Sequence, residues 1–319
     1  MVSISVVVPV YNGALSIRQL TEELHQVLPT LAESWEIIFV EDDGKDNSWS
    51  VLEQIVRDFS HVRAFKHMRN FGQHNALLVG IRAAKYDLII TMDDDLQHSP
   101  SQIHKLITKL AEGYDVVYGT PVQERHGLLR DLASQITKLA LQNAMGVDVA
   151  RSVSAFRIFR ASLRRAFEHY DNPVVNLDVL LTWGTTHFAA ITIPHAPRRF
   201  GASNYTVLKL VNHAMNMITG FSTLPLQVAS LLGFGLPLFG VVLLVYVFIR
   251  LLFEPSVPGF PFLASVVTVF SGAQLLALGI IGEYLARMHV RIMGRPSSVV
   301  RESIESQVAE SSIPNVMSQ

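Results

Sequence analysis

Between residues 3 and 119 short apolar, β-branched runs alternate with longer segments whose apolar positions recur every three to four residues. ISVVVPV, EIIFV, VRAFK, DLIIT and DVVYG are strand-like, while LSIRQLTEELHQVL, SWSVLEQIVRDF, QHNALLVGIRAA and QIHKLITKLAEG carry helical spacing. Strands and helices in strict turn predict an α/β fold, a mostly parallel sheet covered by helices on both faces. Ligands of such sheets bind beyond the carboxyl ends of strands, so the residues closing each apolar run are the first to consider.

The second half of the chain has a different pattern. From Leu210 to Ile249 there is no Asp, Glu, Lys or Arg, and LPLQVASLLGFGLPLFGVVLLVYVFI (224–249) is long enough to cross roughly 30 Å of hydrocarbon. FLASVVTVFSGAQLLALGII (262–281) follows after EPSVPGFP, a proline-rich link with Gly259 that suits an antiparallel pair of spans. Neither run shows a polar stripe, which argues against buried helices of a soluble core. Arg198, Arg199 and Lys209 precede the pair and Arg287, Arg291, Arg295 and Arg301 follow it, so the positive-inside rule predicts cytosolic ends.

Composition narrows the function classes. The chain of 319 residues is 49% hydrophobic and only 17% charged, which points to a membrane partner, and a net charge of -1 gives no basic field for nucleic acid. With no cysteine, disulfides and thiolate metal sites are excluded. MVSISVVVPVYN lacks a basic start before its apolar run and meets Pro9 and Asn12 too early for a signal peptide, so the N-terminal part is expected to stay in the cytosol.

Polar clusters close three of the strand-like runs: Val10-Tyr11-Asn12-Gly13, Glu41-Asp42-Asp43 and Asp93-Asp94-Asp95. In TMDDDLQHSP the acids stand at the mouth of a buried strand, where unpaired charge is costly. Ser99, Pro100 and Gln102 have the spacing of a helix start, so the acids occupy a tight strand-to-helix crossover. PVYNGA has one glycine and no G-x-G-x-x-G, and no phosphate-loop lysine motif occurs, which excludes a dinucleotide cradle and a P-loop. Acids at a second strand end suit ribose or base hydroxyls, and a later acidic pair suits a hard cation, Mg²⁺ or Mn²⁺, bridging phosphates. Together they describe a site for a nucleoside diphosphate and a metal ion.

PVYNGALSI, VEDDGKDNS, RNFGQHNALLVGI, MDDDLQHSP, RRFGASNY and IIGEYLARMHVRIMGRP, in that order, resemble the polyisoprenyl-phosphate glycosyltransferases of family 2, which have the GT-A fold. The likeness is to the bactoprenol glucosyltransferase and undecaprenyl-phosphate aminoarabinose transferase branch, relatives of dolichol-phosphate mannose synthase, and spans about residues 3–300. It implies a Rossmann-like, mostly parallel catalytic domain on the cytosolic side (1–200), a juxtamembrane helix (201–222), a two-helix transmembrane hairpin (223–290, spans near 224–250 and 262–286) and a polar, partly disordered tail (291–319). The implied protein is a multi-pass enzyme of the bacterial inner membrane, a homo-oligomer and by resemblance a tetramer.

The resemblance also implies roles. Asp93, Asp95 and Gln97 fall on the family's metal and diphosphate ligands, with Asp94 an expected solvated bystander. Pro9, Tyr11, Asn12, Asp42 and Asp43 match the nucleoside pocket, and Arg69, Asn70 and Gly72 a loop over the nucleotide; Gln73, His74 and Asp46 read equally well as ordinary helix-start residues. Arg198 matches a catalytic arginine in R-x-x-G-x-S-x-Y, where Ser203 and Tyr205 approach the acceptor phosphate. Arg125 and Arg130 flank an amphipathic stretch with Leu132, Ile136, Leu139 and Ala140 on one face, suited to the inner leaflet and the lipid phosphate. The expected reaction is inverting transfer from a nucleotide-sugar donor, a UDP-sugar, to polyprenyl (undecaprenyl) phosphate, with glucose the first expectation for the sugar and an aminoarabinose derivative the second.

One departure is visible: Ala155 stands where many relatives carry an acid in G-D-F-R, so no base role falls there. A lipid phosphate needs none, because its second pKa is near 6 and it is largely ionised in the cytosol. Alternatives are a transferase acting on a sugar hydroxyl, which needs a general base, a processive polysaccharide synthase, which needs more spans and a tryptophan-bearing acceptor motif, and a non-catalytic membrane scaffold, which has no use for the acids.

Overall fold

A computed structural model describes residues 2–121, 152–194, 224–253 and 259–306 of the chain. Strands β1 (Val2–Val10), β2 (Ala32–Glu41), β3 (Val62–His67), β4 (Leu88–Thr91), β5 (Val116–Pro121), β6 (Arg157–Arg160), β7 (Phe188–Ile193) and β8 (Val300–Glu305) form one sheet in the order β7-β5-β6-β4-β1-β2-β3-β8. β1 pairs in parallel with β2 and β4, β2 with β3, and β5 with β7, while β6 and β8 run antiparallel to their neighbours. Helices α1 (Ile17–Leu31), α2 (Ser48–Asp58), α3 (Gln73–Ala83) and α4 (Ile103–Ala111) make the crossovers predicted from the periodicity. A short α5 (Leu177–Thr182) follows β6.

Residues 6–10 of β1 and 37–40 of β2 are apolar without interruption because both of their faces are covered. Ile4, Val6, Val8, Ile37 and Phe39 share one core with Ile17, Leu20 and Leu24 of α1, Leu52 and Ile55 of α2 and Ile103 and Leu106 of α4. Val7 faces the other way, onto α3, so closely that a Cβ on Gly80 would lie 2.3 Å from its Cγ1. Ser99 does start the helix after β4, accepting from the Ser101 N–H, but the Gln102 side chain turns to the Ser101 hydroxyl and leaves the reciprocal cap unmade.

The polar tail expected from residue 291 onward is, in part, a strand. Val300–Glu305 lies against β3, with Glu305 meeting Arg63 at 2.7 Å and Arg63 reaching Glu36 at 3.2 Å. Only Ile304 of this strand packs onto the core; the rest is exposed, which is why its sequence reads as a tail.

A second compact unit, Leu208–Met293, contains the two long helices α6 (Leu224–Phe253) and α7 (Phe260–Ile292). Both are long and apolar enough to cross a membrane, with mean hydropathy 1.7 over Pro225–Val242 and 1.5 over Val269–Ile292 and nearly all of both stretches unburied. They touch where the Phe270 ring lies 3.2 Å from the place a Cβ on Gly240 would take.

Candidate active site

β1 is where the strand order of the sheet reverses, with β2 and β3 on one side and β4 on the other. The crevice beyond such a reversal is the usual ligand site of an α/β sheet. A cavity of about 260 Å³ opens there, lined by Pro9 and Val10 at the end of β1 and Tyr11 after it, Asp42 just after β2, Asn70, Gly72 and Gln73 before and at the start of α3, and Asp93 and Asp94 after β4. Tyr11 is half exposed, presenting an aromatic face beside three carboxylates.

The turns that hold these residues brace one another. Asn12 adopts φ +56 and its Oδ1 accepts the Lys45 N–H at 2.8 Å, so its side chain pins the β2–α2 turn. Asp46 accepts from the Ala14 N–H at 3.0 Å and from Ser48, and the Ser48 hydroxyl in turn accepts the Gly13 N–H. Burial works against ionising Asp46, but these bonds from Ser48 and Ala14 outweigh it and hold the carboxyl below its ordinary range. Burial pushes the neighbouring Glu41 carboxyl up, against the pull of the Gly44 N–H and Lys66.

Asp42 is 3% exposed and organises the loop after β3. Its Oδ1 accepts from His67 Nδ1 at 2.7 Å and the Phe71 N–H at 2.8 Å, and its Oδ2 from the Gly72 N–H at 2.7 Å. Gly72 takes φ +96, a conformation closed to other residues without strain. Arg69 is exposed, its guanidinium stacked on the Phe71 ring at 4.2 Å.

On the opposite wall Gln73 Nε2 donates to Asp93 Oδ1 at 2.6 Å, joining the start of α3 to the end of β4. Asp94 is no solvated bystander: it is partly buried, lines the cavity, and its Oδ2 lies 2.0 Å from where a Cβ on Gly13 would sit. That explains the lone glycine of PVYNGA as room for a carboxylate. Asp95 is 9% exposed and its Oδ1 accepts the Gln97 N–H at 3.1 Å.

Of the residues singled out in the sequence, Pro9, Tyr11, Asp42, Asn70, Gly72 and Asp93 come together in the cavity wall. Asn12, Asp43, Arg69, Asp95 and Gln97 stand in the turns that carry the wall; Asp43 is exposed at φ +53. Arg125, Arg130, Arg198, Ser203 and Tyr205 lie outside the described residues. Gln73 and Asp94 are the additions, and the sequence signal for both was position: the residue after a strained glycine, and the middle of an acidic turn.

The donor set is all oxygen, as a hard cation requires. Among the described residues no three carboxylate or imidazole side chains converge closely enough to hold one unaided. Asp93 with a neighbouring carboxylate fits a cation that takes the rest of its shell from water and a ligand's phosphates, as Mg²⁺ usually does.

The family model described as Glycosyl transferase family 2 matches residues 5–170. An undecaprenyl-phosphate 4-deoxy-4-formamido-L-arabinose transferase of Yersinia pestis (strain Pestoides F) is 33% identical over 96% of this chain and 95% of its own, and the transferase of the same name from Yersinia enterocolitica serotype O:8 is also 33% identical over the same shares. Among solved structures, glucosyl-3-phosphoglycerate synthase from Mycobacterium tuberculosis, in complex with Mn²⁺, UDP-glucose and phosphoglyceric acid, superposes with a TM-score of 0.52 at 18% identity over 68% of this chain and 78% of that one. The sheet order, the cavity at its reversal and the extent of these matches agree: the chain belongs to glycosyl transferase family 2, and its catalytic unit has the GT-A fold.

Proposed function

We propose that the protein moves a sugar, with inversion, from a UDP-linked donor to undecaprenyl phosphate at the cytosolic face of a bacterial inner membrane. The observation that carries this reading is the cavity at the sheet reversal, which Tyr11 lines together with Asp42, Asp93 and Asp94. Tyr11 and Pro9 offer a wall for the nucleobase, and Asp93 would hold a divalent cation with a second carboxylate, Asp94 by its place in the wall or Asp95 with Gln97 by family resemblance. Bound there, such a cation would supply positive charge to the leaving diphosphate. The UDP-glucose and Mn²⁺ of the mycobacterial synthase support that ligand class.

The acceptor phosphate oxygen forms a bond to the anomeric carbon as the bond to UDP breaks and its electron pair leaves with the diphosphate. An ionised phosphate needs no base, which fits Ala155. The chain's contribution is alignment of the two phosphates. Arg198 pairs with one of them, while Ser203, Tyr205, Arg125 and Arg130 receive the acceptor.

The names of the relatives favour a formamido-arabinose over glucose as the transferred sugar. α6 and α7 serve as the two spans. β3 precedes them and β8 follows them in one sheet, which supports an even number of crossings between these strands, as in a hairpin. A homo-oligomer, a tetramer by resemblance, completes the reading.

Incubating the protein in nanodiscs with undecaprenyl phosphate, Mn²⁺ and either UDP-4-formamido-arabinose or UDP-glucose tests the assignment. Mass spectrometry of the lipid should show the formamido-pentosyl product; product only from UDP-glucose would overturn the choice of sugar, and product from neither the donor class.

A further inference from the structure

His67, at the end of β3 beside the cavity, is 0% exposed. Its Nδ1 lies 2.7 Å from Asp42 Oδ1. A carboxylate only accepts, so Nδ1 carries the proton in this bond. Among the described residues Nε2, equally buried, has no hydrogen-bond partner, and the ring's polar engagement there is with Asp42. Leucine would fill such a place without leaving a buried nitrogen unsatisfied, a defect that destabilises a fold. Packing alone therefore does not account for a histidine here.

What the histidine holds is the loop over the cavity. Its ring meets Phe71 edge-on, with centroids 5.3 Å apart at 80°. The Phe71 N–H shares Asp42 Oδ1 with His67, and Phe71 in turn carries the Arg69 guanidinium on its face. Asp42 Oδ2 fixes the Gly72 N–H, at the residue whose backbone is left-handed. A carboxylate freed on one side can rotate, and both loop N–H groups lose their anchor when it does.

We propose that His67 is the positioning residue of the donor loop: by fixing the Asp42 carboxylate and bracing Phe71, it presets residues 69–72 in the shape that receives a nucleoside diphosphate. His67 touches no ligand in this role. The gain is preorganisation, since a loop already ordered loses less entropy when the donor binds. The proposal rests on the reading of the cavity as a nucleotide-sugar site.

The test is UDP binding in the presence of Mn²⁺, measured by titration calorimetry on the full chain in detergent, for wild type, His67→Leu and His67→Asn. The asparagine amide can replace the Nδ1–H toward Asp42, whereas leucine fills the space without a donor. His67→Leu should bind UDP about tenfold more weakly or worse, and His67→Asn should return to within about threefold of wild type, the difference reflecting one hydrogen bond to a charged group. KM for the lipid acceptor should stay unchanged in both, a split that general destabilisation would not produce. Wild-type affinity in the leucine variant, or equal loss in both variants, overturns the proposal. If the leucine variant does not fold, His67→Asn decides alone: affinity within about threefold supports the proposal and a tenfold loss overturns it. A wild-type protein that binds no nucleoside diphosphate instead overturns the donor-site reading itself.

Discussion

Gly72→Ala isolates the contribution of the donor loop's backbone. At φ +96 and ψ 154 Gly72 sits in a region that L-residues almost never enter, yet a Cβ built there meets nothing within 4 Å. The cost is therefore conformational and not steric, about 1–3 kcal/mol. Arg69 and Asn70 are exposed, Phe71 and Gly72 half-buried, and the loop is held chiefly through Asp42, so it relieves the strain by moving, at the expense of the Gly72 N–H bond to Asp42. A donor that needs the original shape must then restore it, which weakens UDP binding roughly 5- to 150-fold. Gly113→Ala is the matched control: Gly113, just past α4, has φ +106 and the same open surroundings, but it lies outside the cavity wall. It should lower the unfolding temperature by roughly 2–4 °C per kcal/mol of strain and leave UDP affinity alone. Titration calorimetry with UDP and Mn²⁺, beside thermal unfolding, reads both. Wild-type UDP affinity in Gly72→Ala, or equal weakening in Gly113→Ala, would refute the reasoning.

Other substitutions address the acids and the topology. Because Asp94 lines the cavity, Asp94→Ala should lower Mn²⁺-dependent turnover at least about tenfold, as losing a charged ligand of a hard cation does; a mild effect beside total loss in Asp95→Asn would assign the cation to Asp93 and Asp95. Burial holds the Glu41 carboxyl above its ordinary value of 4.5, so the native state binds that proton more tightly than the unfolded chain. This contribution to stability is complete below pH 4.5 and is lost as pH rises through the native pKa, so Glu41→Gln should flatten the stability profile above pH 4.5; an unchanged denaturant midpoint profile would contradict it. Reporters placed after Gln319 and at Ser256 should be found on opposite sides of the membrane, and the same side for both would sink the hairpin.

Much of this was readable in the sequence, for identifiable reasons. The five strand-like runs up to Gly119 became β1 to β5; β1, β2 and β4 were legible because the middle of a buried parallel strand is apolar, a requirement that shows in local composition. The acidic ends of β2 and β4 were visible because charge next to such a run is costly. β8 escaped because an exposed edge strand needs only Ile304 for the core. The bond between His67 and Asp42 and the one between Gln73 and Asp93 escaped for another reason: they join residues 25 and 20 positions apart, and no local pattern encodes such a meeting. The purpose of Gly13 became clear only once Asp94 was seen against it.

The central claim, a metal-dependent glycosyl transfer to a lipid phosphate, is tested most directly by coupling nucleoside diphosphate release to the acceptor. Purified protein in nanodiscs, supplied with UDP-4-formamido-arabinose and Mn²⁺, should release UDP only when undecaprenyl phosphate is added, should stop when the metal is chelated, and should fail in Asp93→Asn. UDP release that ignores the lipid phosphate, or that persists without Asp93 or the metal, would contradict the account.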